Sequence, residues 1–224
     1  MKYTLHTYRR CPYCIRTRIL MHLKGVEYSV IEEPMREWTG WMQDWSRENE
    51  EKPRVPVLRY TEEDEGGRDV EHIMPESLAI NLFLDARDGK LEFTPEVGSA
   101  GYAEMEKWGD WYDVEVKEAA NLYKYGENRV FDIEKNDAHM QNLRPHIQKL
   151  EDHLSEHAYL VEDRLTLADI AVIPFIRQIL RVRDGEFDFS DFPKTVAWVE
   201  MITETDWFKD EVMKKYPLAL VGVW

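Results

Sequence analysis

The stretch from Tyr3 to Ile31, YTLHTYRRCPYCIRTRILMHLKGVEYSVI, decides how the rest of this chain is read. Tyr3 to Tyr8 alternates and carries Thr, Leu and Tyr, the pattern of a half-buried strand. Cys11-Pro12 then opens a run with apolar residues at Ile15, Ile19, Leu20 and Leu23, which is helical spacing, and Gly25 stops it. Glu27 to Ile31 reads as a second strand. Strand, helix and strand in that order favour a parallel pair joined by a right-handed crossover.

Working outward, Trp38, Trp41, Met42 and Trp45 keep helical spacing and predict a second helix. Val55 to Tyr60 reads as a strand, and Thr61 to Asp69, with its acids before Gly66-Gly67, as a solvated turn. Val70 to Ile73 is the returning strand. A helix starts at Ser77, runs through Leu78, Leu82 and Leu84, and ends near Gly89. Asp88 to Gly101 has no period and reads as a linker. Beyond it the pattern is wholly helical: Tyr102 to Tyr125, Asp132 to His157, Thr166 to Arg183, Lys194 to Thr203 and Asp206 to Tyr216. The expected organisation is an α/β domain over residues 1–88 followed by an all-α domain over residues 100–224.

The 224 residues hold 29 basic and 44 acidic side chains, a formal charge of −15. Such a surface repels phosphate, so nucleic-acid binding is not expected. Hydrophobic residues make up 43% of the chain, enough to exclude a disordered protein. The first residues lack the apolar core of a signal peptide, and no apolar run is long enough to span a bilayer. The expectation is a soluble, cytoplasmic protein without membrane partners. The acidic runs Glu48–Glu51 and Glu62–Glu65 read as solvated surface.

Cys11 and Cys14 are the two cysteines of the chain. A zinc site needs about four ligands, and no second pair stands ready to complete one. A structural disulfide would be out of place in the cytosol. Redox chemistry is the expectation. Cys11 falls at the N-cap of the first helix, with Pro12 at the first helical position. The unpaired N–H groups of that turn, and the helix dipole, favour a thiolate there. Cys14, one turn on, is placed to resolve a mixed disulfide on Cys11. Residues 1–26 contain Lys2, Arg9, Arg10, Arg16, Arg18 and Lys24 and no acid, a local +6 that leaves −21 for the remainder. Strand geometry singles out Arg9 and Arg10 as the charges nearest the sulfur, with Arg16 and Arg18 pointing away.

These residues form a recognisable pattern. Cys11-Pro12-Tyr13-Cys14 after a strand resembles the dithiol motif of glutaredoxins. Val55-Pro56 before a strand and Met74-Pro75-Glu76-Ser77 before a helix resemble the glutathione-binding elements of glutathione transferases. Thr166-Leu167-Ala168-Asp169 resembles the helix-capping motif of the transferase C-terminal domain, so the resemblance spans the chain. It is nearest to the two-domain glutaredoxins with transferase-like architecture. It implies a thioredoxin-like N-terminal domain followed by an all-α domain, glutathione as co-substrate and no metal. It also implies a cis peptide before Pro56, with the Val55 backbone pairing the cysteinyl part of glutathione. Ser77 would take the γ-glutamyl carboxylate and Glu76 the amino group, while Tyr13 flanks the sulfur.

The implied activity is glutathione-dependent thiol–disulfide exchange on disulfide or glutathionylated substrates, with Cys11 as nucleophile and Cys14 as resolving thiol. Two alternatives stand beside it. One is a glutathione transferase or dehydroascorbate reductase acting on small electrophiles. The other is a non-enzymatic module that binds a ligand or partner. The chain would be a monomer or a homodimer. Thr166 and Asp169 read as a structural capping box. The aromatic set Tyr102, Trp108, Trp111, Tyr112, Tyr123 and Tyr125 reads as helical core, with an acceptor pocket as the alternative.

Overall fold

The computed structural model of the protein describes residues 1–130, 132–182 and 186–219. Two compact units divide the chain: Met1–Lys90 together with the described residues from Asp206 onward, and Leu91–Thr205.

The first unit is built on β1 (Lys2–Thr7), α1 (Pro12–Leu23), β2 (Ser29–Glu32), α2 (Gly40–Glu48), β3 (Val57–Glu63), β4 (Asp69–Pro75) and α3 (Ser77–Ala86). The sheet order is β2-β1-β3-β4. The β1/β2 pair is parallel, Leu5 opposite Val30, as the strand–helix–strand reading requires. The β1/β3 and β3/β4 pairs are antiparallel. The strands run past the expected turn, because Glu62 and Glu63 still pair with Val70 and Asp69. The turn is the shorter Asp64–Arg68, where the Asp64 side chain accepts from the N–H groups of Gly66 and Arg68. Leu5, Ile15, Ile19, Leu20, Met21, Leu58, Ile80 and Leu84 are buried in this unit. This is a thioredoxin-like α/β unit.

The second unit is helical: α4 (Ala100–Trp111), α5 (Lys117–Tyr125), α6 (Ile133–Glu156), α7 (Leu167–Leu180) and α8 (Pro193–Thr203). The helix expected over Tyr102 to Tyr125 is interrupted by a π turn at Tyr112–Val116, which separates α4 from α5. Trp108, Trp111, Tyr112 and Tyr123 are buried core residues, whereas Tyr125 is 41% exposed. Tyr112 stacks on Phe175 of α7 at 3.9 Å. Ser99 caps α4 by accepting from the Tyr102 N–H.

Two parts of the organisation differ from the sequence reading. The stretch read as a linker is partly fastened: Thr94 is buried and the Phe93 carbonyl accepts from Leu167 N–H at 2.8 Å. Backbone bonding leaves no hydrophobic period to read. The residues from Asp206 on pack with the first unit, not the helical one. Trp207 stacks on His22 of α1 at 4.6 Å. Arg18, fully buried, donates to the carbonyls of Glu211 and Lys214. Leu218 then bridges Glu32 in parallel, and Ala219 N–H donates to the Glu32 carbonyl, extending the sheet edge at β2. Regular structure after Asp206 is a short π turn, Phe208–Val212, in place of a helix to Tyr216. Arg183 and residues 220–224 of the apolar tail lie outside the described residues.

Among the described residues no helix is long and apolar enough to cross a membrane, and no group of three or more His, Cys, Asp or Glu could hold a metal ion.

A candidate active site at two helix starts

Cys11 is the N-cap of α1 in extended conformation, with Pro12 beginning the helix. The Cys11 N–H donates to the Tyr8 carbonyl and its carbonyl accepts from Ile15, so its backbone is fastened on both sides. Its side chain makes no conventional cap bond to the first turn of α1, which leaves the N–H groups there directed at the sulfur. Cys11 is partly exposed and Cys14 is fully buried, and both are free thiols.

The two sulfurs are driven apart in acidity. The Cys11 thiol is lowered to about 7, chiefly because the Cys14 thiol donates a hydrogen bond to its sulfur. Burial opposes this. The N–H groups of Cys14 and Tyr13 and the charge of Arg16 add to the lowering. Those N–H groups are the orphan donors of a helix start put to use. Cys14 is pushed well above its usual value, first by burial and then by the negative charge favoured on Cys11. The Tyr8 N–H contacts the Cys14 sulfur at 3.3 Å. One sulfur is thus a thiolate near neutrality, and its neighbour is a proton donor.

Beneath the pair lies an apolar floor of Cys14, Met42, Trp45, Val55 and Val57, with Tyr8, Cys11, Trp38 and Trp41 packed against it. Helix α2 supplies most of the indoles, and its position is set by a buried polar anchor. Glu33 accepts from the Thr39 N–H and hydroxyl at the start of α2 and pairs with His6 Nδ1 at 2.7 Å. His6 in turn stacks on Trp41 at 4.1 Å. Burial holds His6 below its usual value against the pull of Glu33.

The Val55–Pro56 peptide is cis, and both residues are buried at the entry to β3. Glu76 is the N-cap of α3 with φ 71°, and its exposed carboxylate pairs with Arg54 at 3.2 Å. Ser77 opens α3 and is buried. Its hydroxyl accepts from Arg16 Nε at 2.8 Å, and the Arg16 guanidinium lies 4.9 Å from the Tyr13 ring centre. Tyr13, in the segment between the two cysteines, is thereby linked through Arg16 to Ser77.

The arginines depart from expectation. Arg10, expected to be among the charges nearest the sulfur, is exposed and donates to the Tyr8 hydroxyl. Arg16, expected to point away, is buried against Ser77 and is the arginine whose charge reaches Cys11. The helical spacing of three that lays Arg16 over Tyr13 was the available signal. Arg18 is buried among the residues after Asp206. The sequence also gave no notice of Trp38, Trp41 and Tyr8 as neighbours of the sulfurs.

An α/β unit with its paired thiols at a helix start, followed by a helical unit, defines a two-domain thioredoxin-like architecture. The family model for the glutathione S-transferase N-terminal domain matches residues 5–92, and that for the C-terminal domain matches residues 116–206. The chain belongs to the glutathione S-transferase superfamily. No curated protein matches the sequence. Among solved structures, FzlA from C. crescentus is 19% identical, with 97% of this chain and 94% of that one covered at a TM-score of 0.76. A glutathione transferase family member from Pseudomonas fluorescens, solved with two glutathione bound, is 17% identical, covering 95% and 92% at 0.75. The transferase URE2P6 from Phanerochaete chrysosporium, in complex with oxidized glutathione, is 18% identical, covering 92% of each chain at 0.73. At these identities the likeness is one of fold.

Proposed function

We propose that this protein is a glutathione-dependent thiol–disulfide oxidoreductase in which Cys11 is the nucleophile and Cys14 the resolving thiol. The observation that carries this reading is the division of the two sulfurs: Cys11 lowered to about 7 and partly exposed, Cys14 buried and pushed up. An attacking thiol with a pKa near ambient pH combines thiolate population with nucleophilicity. The Cys11 thiolate attacks the glutathionyl sulfur of a mixed disulfide, the S–S bond breaks, and the substrate leaves as a thiolate that takes up a proton. A second glutathione thiolate then attacks the Cys11–glutathione disulfide, releasing oxidised glutathione and restoring the Cys11 thiolate. Alternatively Cys14, giving up its proton, attacks Cys11 and expels glutathione. Two further glutathiones reduce the resulting disulfide.

Glutathione is held in this reading by the backbone of Val55 before Pro56, by the hydroxyl of Ser77 and the N–H groups opening α3, and by Glu76, with Tyr13 beside the sulfur. Three observations support this placement: the cis peptide at Val55–Pro56, the position of Ser77 at a helix start, and the glutathione bound in two of the similar structures. A thiolate at this position forms a disulfide with glutathione and does not merely polarise it, which favours exchange over conjugation. Reduction of a small glutathionyl mixed disulfide by glutathione tests the reading. The wild type is expected to turn it over, and Cys14→Ser, which cannot resolve the adduct internally, to gain one glutathionyl mass on Cys11 after incubation with oxidised glutathione. Cys11→Ser is expected to lose at least ~100-fold in rate, as loss of an essential nucleophile does. Full activity in Cys11→Ser would refute the mechanism.

A further inference from the structure

Two negative charges have to be handled within this site if glutathione binds as proposed: the Cys11 thiolate and the carboxylate received at the start of α3. Arg16 acts on both: its side chain reaches Ser77, and its charge lowers the Cys11 thiol. Its side chain is 3% exposed, and Nε donates to the Ser77 hydroxyl oxygen at 2.8 Å. Its guanidinium covers the Tyr13 ring inside the Cys-Pro-Tyr-Cys segment, and Asn81 of α3 donates to its backbone carbonyl at 3.4 Å. The bond to Ser77 also sets the direction of that hydroxyl. Because Arg16 Nε engages one of the two oxygen lone pairs, the hydroxyl proton points away from Arg16 and is free to be donated to a carboxylate.

We propose that Arg16 is a positioning residue through which the Cys11 sulfur and a carboxylate at Ser77 compete for one buried positive charge. This rests on the glutathione-binding reading above. A carboxylate arriving at Ser77 pairs with the Arg16 guanidinium and draws it away from the thiolate. Coupling between two binding events is reciprocal, so a thiolate on Cys11 weakens the hold on the carboxylate by the same factor. The mixed disulfide has no charge on that sulfur, so it grips its glutathionyl carboxylate more tightly than the reduced site grips glutathione. Resolution by a second glutathione, which restores the thiolate, relaxes the grip as oxidised glutathione departs. The arrangement holds the covalent intermediate and loosens the product with no movement of the backbone.

The test uses S-methylglutathione, which carries the carboxylates and cannot exchange. The Cys11 pKa is followed by thiolate absorbance with and without it, and its affinity is measured by calorimetry at pH 6 and pH 8. In the wild type the ligand is expected to raise the Cys11 pKa by about half a pH unit and to bind about threefold tighter at pH 6, the two being one linkage. In Cys11→Ala the contrast between pH 6 and pH 8 should vanish. Arg16→Gln should raise the unliganded Cys11 pKa and shrink the effect of ligand on it to the direct repulsion between thiolate and carboxylate. Arg16→Lys keeps the charge without the Nε donor; it should leave the unliganded titration near wild type while weakening S-methylglutathione about tenfold. Circular dichroism establishes that each variant is folded. A ligand-induced rise as large as that of the wild type in folded Arg16→Gln, or in Arg16→Lys an affinity equal to wild type, overturns the inference and leaves the glutathione reading standing. Failure of the wild type to bind S-methylglutathione overturns both.

Discussion

The start of α1 and the start of α7 solve one problem in opposite ways. Every helix begins with N–H groups that its own turns cannot satisfy. At α7 the chain supplies its own answer. Thr166 and Asp169 form a capping box, and the buried Asp169 carboxylate also accepts from Leu160 N–H at 2.9 Å and Trp198 Nε1 at 2.9 Å. Every bond there closes on the protein, and the result is rigidity. At α1 the cap is a cysteine that makes no conventional cap bond, and the N–H groups of Tyr13 and Cys14 bear on its sulfur. The difference shows what a helix terminus can be used for: closed on itself it fastens two elements, and left to a partly exposed thiol it makes an anion.

The sharpest way to break this contrast is at the closed end. Asp169→Ala strands the donors of Thr166, Leu160 and Trp198 in the interior, and should cost about 3 kcal/mol in a denaturant titration. It should leave the Cys11 titration where it was; a moved thiol pKa would mean that the two helix starts are not independent. At the open end, Cys14→Ala removes the hydrogen bond that does most to lower Cys11. Its thiol should rise from about 7 by about one pH unit, read as slower alkylation at pH 7 and recovery at higher pH, where the thiolate re-forms. An unchanged rate would assign the acidity to the helix start alone. The smallest effect belongs to Arg10→Glu. Arg10 is exposed and turned onto Tyr8, so this reversal of charge should move the Cys11 pKa by less than about 0.3 at 0.1 M salt. A larger rise would restore the exposed basic loop as an activator.

The same two helix starts measure what the sequence carried. Local signals read well: Cys11-Pro12 as a helix start and Thr166 with Asp169 three residues on as a capping box are contiguous patterns, and the structure has both. The parallel β1/β2 pair was legible because a short crossover leaves few alternatives. Arg16 was misjudged because its partner, Ser77, lies 61 residues away, and helix geometry alone places a side chain on a face without saying what waits there. The indoles of α2 read as a helix but not as neighbours of the sulfurs, since that cluster is completed by Val55 and Val57 at the entry to β3. The residues after Asp206 were helical by pattern and were assigned to the helical domain. Only the three-dimensional return to α1 and β2 places them with the thiols.

That return has a consequence for how the protein is made. Arg18 sits in the first helix, and one of the carbonyls that receive its buried guanidinium is 193 residues further along. A ribosome delivers Cys11, Cys14 and the whole sheet long before it delivers Glu211. Until then the nascent unit carries a charged side chain with its final acceptors still unsynthesised, and the edge of β2 lacks the bridge to Leu218. The helical unit, whose residues are contiguous, is under no such delay. The thiol-bearing unit is therefore begun before the helical unit and completed after it, and its reactive centre matures only once Glu211 and Leu218 have been made.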